Sequence, residues 1–303
     1  MEPSRQAHPR HRAATIAAMT LDRTVDRTVA VLGAGNIGSA LISGLLEAKT
    51  LAPEQIRATD VSEKQVAELS RKHAIHVTQG GNQQAASEAD IVVLAVKPNL
   101  VGEVLGDIRE VLRSGQVLIS VAAGVTIEFL ERHLAKPISE RPAATQPIIR
   151  AMPNIAMTVH ASATALCANA AANEQHRQIA EEIFRSVGTV VWVTEDKMHA
   201  VTGLSGSGPA YVYLILEGLT AGGVNMGLPH DVARALAQQT LLGAARLAQQ
   251  SAEHPAALRD RVTTPGGTTI AGLAELERYG VRSALMEAVE AATERSEQLS
   301  RNL

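Results

Sequence analysis

Thr28-Val29-Ala30-Val31-Leu32-Gly33-Ala34-Gly35-Asn36-Ile37-Gly38 is the stretch on which the fold turns. Its first half is apolar and β-favouring, and residues 39–48 after it carry apolar side chains at helical spacing. Between them the glycines satisfy G-x-G-x-x-G. That pattern says little alone, but a strand before it and a helix behind it are the context a dinucleotide-binding unit requires. Gly33 permits the tight turn, Gly35 lets backbone approach a pyrophosphate, and Gly38 lets the helix pack closely on the strand. The helix start then offers unpaired N–H groups and a partial positive charge to phosphates. Gly33, Ala34, Gly35, Asn36, Ile37 and Gly38 are therefore expected to grip a nicotinamide cofactor.

Outward from this stretch, strand-like and helix-like segments alternate. Residues 56–60 read as a second strand and 63–72 as a helix. The apolar run 89–96 suits a strand buried on both faces, and 117–121 repeats it after a helix around 100–112. Residues 148–152, 163–166 and 190–193 read as further strands, with a helix over 175–187 between the last two. The alternation predicts an α/β Rossmann domain over 28–193, its sheet mostly parallel and covered on both faces. From 194 to 303 the chain becomes rich in Ala and Leu at helical period. Helices are expected at 209–226, 230–250, 268–279 and 281–300, with Pro209, Pro229, Pro255 and Pro265 near helix starts. This all-α C-terminal domain is apolar on several faces, which suits a substrate and dimerisation domain packed on a partner subunit.

Composition excludes several classes. A net charge of −3 gives no basic field for nucleic acid. The single cysteine, Cys167, can form no internal disulfide, which fits a reducing, cytoplasmic compartment. No apolar run approaches the roughly 20 residues that span a bilayer. With aromatics at 2%, the cores must be built from Ala, Val, Leu and Ile. None of the ten histidines forms a metal set; His199 reads as a surface or capping residue rather than a base, and Trp192 reads as core. Residues 1–27 are rich in Arg and His; they read as a disordered extension upstream of a start at Met19, with a transit peptide as the alternative.

Further candidates lie at strand ends, where open α/β sheets place ligands. Asp60 ends the second strand; there an acid either accepts hydrogen bonds from ribose hydroxyls or caps the following helix. Ala95-Val96-Lys97-Pro98 closes the fourth strand in a defined turn. Ser120-Val121-Ala122-Ala123-Gly124 closes the next, its small residues letting a nicotinamide lie against backbone. In the second half, Val262-Thr263-Thr264-Pro265-Gly266-Gly267-Thr268-Thr269 leads into a helix. Free N–H groups and hydroxyls at such a start suit a carboxylate ligand, while an ordinary capped helix is the plain alternative.

The run from Val262 to Glu277 resembles the signature of pyrroline-5-carboxylate reductases. Arg150-Ala151-Met152-Pro153-Asn154 resembles the segment after that family's nucleotide domain, and Ala200-Val201-Thr202-Gly203-Leu204-Ser205-Gly206-Ser207-Gly208-Pro209-Ala210-Tyr211 the motif that opens its second domain. The glycine loop, 95–98, 122–124 and Glu253-His254-Pro255 follow in the same order, so the resemblance covers about residues 28 to 300.

The resemblance implies an NADPH- or NADH-dependent enzyme that reduces the imine of pyrroline-5-carboxylate to L-proline, working as a homodimer that in many members assembles into a decamer. It implies that Thr269 touches the substrate near its ring nitrogen, and that Gly267 and Thr268 bind its carboxylate beside Thr264. Glu195 would be an acid near bound substrate, and Asn82 would lie near the adenosine half of the cofactor. Arg261 departs from the pattern. Two other readings compete. A β-hydroxyacid dehydrogenase would resemble its family in carrying a catalytic lysine at the start of the second domain, yet residues 204–222 contain none. A non-catalytic cofactor-binding module would lack the threonine apparatus of 264–269, which is intact.

Overall fold

The computed structural model describes residues 27–135 and 146–301; the reading of an N-terminal extension falls outside them apart from Arg27. Eight strands make one sheet: β1 (Val29–Leu32), β2 (Ile56–Asp60), β3 (His76–Gln79), β4 (Ile91–Leu94), β5 (Val117–Ser120), β6 (Ile148–Met152), β7 (Ser162–Ala168) and β8 (Gly188–Trp192). They lie in the order β3-β2-β1-β4-β5-β6-β7-β8. Every neighbouring pair is parallel except β6 and β7. The chain runs outward from β1 to β3 and returns beyond β1 to β4. That reversal opens a crevice at the carboxyl ends of β1 and β4, the switch point where such sheets bind nucleotides.

Period-two alternation decides which side chains meet which helices. Val29, Val31, Ile91 and Val93 share a core with Leu41, Leu45, Leu69 and Ile183. These come from α1 (Asn36–Glu47), α2 (Glu63–Lys72) and α6 (Glu174–Arg185). Ala30, Leu32, Val92 and Leu94 face the other way, toward Ala86, Leu105, Ile108 and Leu130. These lie on α3 (Asn82–Glu88), α4 (Val101–Ile108) and α5 (Ile127–Leu134). Central strands buried on both sides are why residues 91–96 are an unbroken apolar run; Asp90, inside the expected 89–96, precedes β4 and lies outside the strand. α1 begins three residues before the expected helix, because Gly35 and not Ser39 stands at its N-terminus.

The all-helical part begins with α7 (Met198–Val201), which passes through a π-turn (Thr202–Gly206) into α8 (Gly208–Asn225). α9 (His230–Gln250), α10 (Pro255–Arg261), α11 (Thr268–Arg278) and α12 (Val281–Arg301) follow. Glycine sets the fit at the π-turn. A Cβ on Gly203 would lie 2.4 Å from Thr293 Oγ1 and 2.6 Å from the Val289 carbonyl oxygen, so only glycine lets α12 lie this close. Tyr211 fixes the same crossing by donating its hydroxyl to the Gly203 and Ala288 carbonyls. Asn154 Nδ2 donates to Ser205 O at 3.0 Å, tying the end of β6 to the turn.

Leu204, Tyr213, Leu214, Met226, Leu236 and Met286 are all more than half exposed on this helical surface. So much apolar surface on one domain marks a face for association. Among the described residues no helix is long and apolar enough to cross a membrane. Two side chains depart from expectation. Trp192 is half-buried at the sheet edge, its Nε1 donating to Glu181 and its ring under Arg177, because β8 is the last strand and has one open side. His199, read as a surface or capping residue, is half-buried and bonds Ser296 Oγ on α12 through Nδ1 at 2.9 Å.

Candidate active site

The glycine loop has the geometry its spacing implies. Gly33 has φ +101°, and a Cβ there would sit 2.8 Å from the Ala95 carbonyl group. Its N–H donates to Thr59 O at 2.9 Å. A Cβ on Gly38 would lie 2.0 Å from Gly33 O, so α1 can press onto the turn only because this position is bare. Gly35 differs: a Cβ there would meet no protein atom within 4 Å. No side chain caps the helix it begins. Open space above a bare backbone, at a helix start with unpaired N–H groups, fits a pyrophosphate. Asn36 opens α1 and Ile37 packs onto the core beneath it.

Asp60 stands at the carboxyl end of β2, and both oxygens of its carboxylate are engaged. Oδ2 accepts the Ala34 N–H at 2.8 Å and Oδ1 the Ser62 N–H at 2.8 Å. The helix-cap role falls instead to Ser62, whose hydroxyl accepts from Gln65 N. Asn82 opens α3 and accepts from Thr59 Oγ1 at 2.7 Å, which brings it beside the end of β2. Ala95, Val96, Lys97 and Pro98 follow β4. Ala95 N–H donates to Leu32 O, Lys97 is exposed, and Pro98 begins a short 3₁₀ turn. Ala122 is buried and Ala123 exposed in the loop after β5. The strand order thus lines up the expected cofactor residues along one rim of the sheet.

The threonine turn lies on the other domain. Gly266 takes φ +67°, and Gly267 N–H donates to Thr264 O at 3.0 Å. A Cβ on Gly267 would be 2.2 Å from Thr264 Oγ1. Gly267 is the N-cap of α11 and no side chain bonds that terminus, so it is not an ordinary capped helix. Its first N–H groups stay open beside the Thr268 and Thr269 hydroxyls, a donor set suited to an anion. Among the described residues no hydrogen bond or ion pair joins 264–269 to the sheet domain. Arg261 pairs with Glu253 at 3.0 Å in the open.

Glu195, at the start of the segment entering α7, does not stand free. Its Oε1 accepts from Arg150 Nη1 at 2.6 Å and from the Ile127 N–H at 2.6 Å. The cation went unnoticed in sequence except as part of a motif, although one charge in the otherwise apolar β6 calls for a partner. Burial, with Arg150 nearby, pushes His199 below the ordinary imidazole range, which favours its neutral form. Cys167 is buried beside Arg150, and burial pushes its thiol up to about 11, so it is no nucleophile at neutral pH. No cluster of His, Cys, Asp or Glu among the described residues would hold a metal.

A glycine-cradled Rossmann domain joined to an all-helical domain with an open threonine-bearing helix start defines a class: nicotinamide-dependent oxidoreductases of two domains. Residues 28–124 match the family model for NADP oxidoreductase, coenzyme F420-dependent, and residues 195–299 that for pyrroline-5-carboxylate reductase dimerisation. The chain belongs to the pyrroline-5-carboxylate reductase family. It is 40% identical over 276 residues to the enzyme of Methanosarcina acetivorans, covering 91% of this chain and 99% of that one. It is 41% identical to that of Synechocystis, over 89% and 97% of the two chains. The structure from Coxiella burnetii superposes with a TM-score of 0.82 at 37% identity, over 90% of this chain and 98% of that one. The Plasmodium falciparum reductase, with NADP bound, gives 0.80 at 32%, over 91% and 98%.

Proposed function

We propose that this chain reduces 1-pyrroline-5-carboxylate to L-proline, the final step of proline biosynthesis, with NADPH or NADH as donor. The observation that carries the reading is the uncapped start of α11, a built anion site in a chain whose other domain offers a pyrophosphate cradle. Thr264, Gly267 and Thr268 hold the substrate carboxylate with backbone and hydroxyl donors. Thr269 lies near the ring nitrogen, donating a hydrogen bond or relaying a proton. Glu195 adds an acid near the bound substrate. Gly33, Ala34, Gly35, Asn36, Ile37 and Gly38 hold the pyrophosphate. Asp60 and Asn82 flank the adenosine half, and 95–98 with Ala122 and Ala123 flank the nicotinamide.

When bound, the reduced nicotinamide supplies a hydride to the imine carbon. The substrate enters as an iminium that already carries its proton, so a strong general acid is not needed. The chain's work is orientation, which by itself raises such rates by several powers of ten. The division at 193/194 then separates a donor-holding domain from an acceptor-holding one. The open turn at 264–269 and the exposed apolar helices favour a homodimer in which one protomer's turn meets its partner's glycine loop. Decamers and a cytoplasmic site of action extend that reading. Mixing the purified protein with pyrroline-5-carboxylate and NADPH or NADH tests it. Loss of the nicotinamide absorbance with formation of proline is expected, and no loss with either donor would sink it.

A further inference from the structure

Thr59 is polar where its neighbours across the sheet are not. At the same register β1 carries Leu32 and β4 carries Leu94, both buried in the core beneath α3 and α4. Thr59 is itself 1% exposed, so water does not serve its hydroxyl. A hydroxyl so placed needs a bond that offsets its desolvation. That bond runs to Asn82, with Oγ1 donating to Oδ1 at 2.7 Å. Its direction matters, because the amide of Asn82 has an acceptor on one side and two donors on the other. With Oδ1 held by Thr59, the carboxamide cannot turn over, and its NH2 points away from the strand. Among the described residues none accepts from that NH2. Asn82 is half-buried at the start of α3, beside the end of β2. The Thr59 carbonyl also accepts the Gly33 N–H at 2.9 Å and so holds the turn of the glycine loop. One buried residue therefore reaches two cofactor elements through two different atoms.

We propose that Thr59 is a positioning residue for the dinucleotide: it fixes the Asn82 carboxamide so that the NH2 donates to an acceptor atom of the adenosine half. The proposal rests on the cofactor placement in the reading above, and it concerns a donor bound within one protomer. Folding alone is a poor account of the hydroxyl. Valine has nearly the shape of threonine and favours strands as well, and in an apolar layer it would need no partner. What valine cannot do is set the orientation of a neighbouring amide. A carboxamide left free presents its oxygen as readily as its NH2, and the oxygen would face another acceptor. Fixing the amide before the ligand arrives removes the wrong orientation and the entropy of choosing between the two, which is preorganisation. Thr59 acts in this way through Asn82 without touching the cofactor.

The full-length protein is compared with Thr59→Val, Thr59→Ser, Asn82→Ala, Asn82→Asp and the double variant T59V/N82A. Affinities for NADH, NADPH and 5′-AMP are measured without the imine, donor KM and kcat with it, and melting temperature throughout. Thr59→Val is expected to weaken all three ligands by about fivefold and to raise donor KM alike, while kcat at saturating donor stays within about twofold. Thr59→Ser keeps the hydroxyl and should bind within about twofold of the parent. Asn82→Asp still accepts from Thr59 but has no NH2, so it should lose as much affinity as Asn82→Ala. T59V/N82A should lose no more than Asn82→Ala, because Thr59 works through that residue. A further loss of about fivefold in the double variant would place the effect at Gly33 and overturn the proposal. Parent-like affinity in Asn82→Asp would do the same, since the amide oxygen would then face the ligand. A lower melting temperature with unchanged affinity in Thr59→Val would make the bond merely structural. Should Thr59→Val fail to fold, Thr59→Cys, whose thiol is a weak donor, takes its place with the same expectations. A parent that binds dinucleotide but leaves the imine unreduced removes the reductase reading alone; a reducing parent with an unimpaired Thr59→Val removes this inference alone.

Discussion

Asp60 Oδ2 accepts the backbone N–H of Ala34 at 2.8 Å, so the acid that ends β2 braces the glycine loop from below. Its other oxygen holds the Ser62 N–H. The residue thus fixes the two turns between which a dinucleotide would lie, whichever donor is used.

Asp60→Ala is therefore expected to raise KM for NADH and NADPH together, each by about tenfold, since an unpaired N–H costs on the order of 1–3 kcal/mol. Steady-state kinetics with both donors checks this. A loss confined to NADH would mean that the carboxylate serves the ribose alone.

Gly35→Ala and Gly38→Ala separate ligand from fold. At Gly38 the methyl would lie 2.0 Å from Gly33 O, so α1 must shift and overpacking should cost about 1–3 kcal/mol of stability. At Gly35 the methyl meets no protein atom and φ is −66°. There the poorer cap and the stiffer unfolded chain offset to within about 1 kcal/mol. Calorimetry should show Gly35→Ala melting near the parent while dinucleotide affinity falls, because its methyl fills the phosphate's space. Equal melting losses in the two variants would contradict this.

Much of this was legible in the chain because burial writes a period. β2, β6, α2 and α9 lie on the residues their patterns select. α3, α5, α7 and α10 were missed. α5 is short, though Thr126 before it accepts from Phe129 N as an N-cap should, and α10 has seven residues. The glycine loop was legible because its chemistry is local. Arg150 and Glu195 are 45 residues apart, and only the sheet brings them together. Sequence named the threonine turn but left it open whether a side chain capped it.

A pH-dependent tether lies at the C-terminal end of α1. His160, at φ 55°, presents Nε2 to Glu47 Oε2 at 2.6 Å and Nδ1 to Ser186 O at 3.1 Å. Both partners accept, so only the imidazolium satisfies both. The Ser186 carbonyl, then Glu47, raises the His160 pKa above 6.5. His160, chiefly, lowers that of Glu47 below 4.5, with Lys72 and His73 adding to the effect. Stability from a raised histidine is full below its unfolded value and fades as pH rises through the folded one. Stability from the lowered carboxylate is present above its unfolded value and lost as pH falls. The tether should be strongest between 4.5 and 6.5. His160→Asn, which suits the left-handed backbone, should lower the melting temperature more at about pH 5.5 than at about pH 8.5. An equal loss at both would show that the charge does not matter.

The threonine turn supplies the last test. Its residues are exposed or half-buried, and α11 buries none of its side chains within the protomer. If a partner's glycine loop receives it, each catalytic centre draws on two chains. Thr269→Ala is expected to lower kcat at least about tenfold with NADPH affinity intact, as loss of a positioned donor does. Gly33→Val should abolish dinucleotide binding, since its Cβ would lie 2.8 Å from the Ala95 carbonyl group. Unfolding and refolding the two inactive variants together would form mixed dimers. In each, one centre combines an intact glycine loop with an intact Thr269 from the other chain, and activity should return. Were both elements drawn from the same chain, no mixed dimer would contain a whole centre, and the refolded mixture would stay as inactive as its parts.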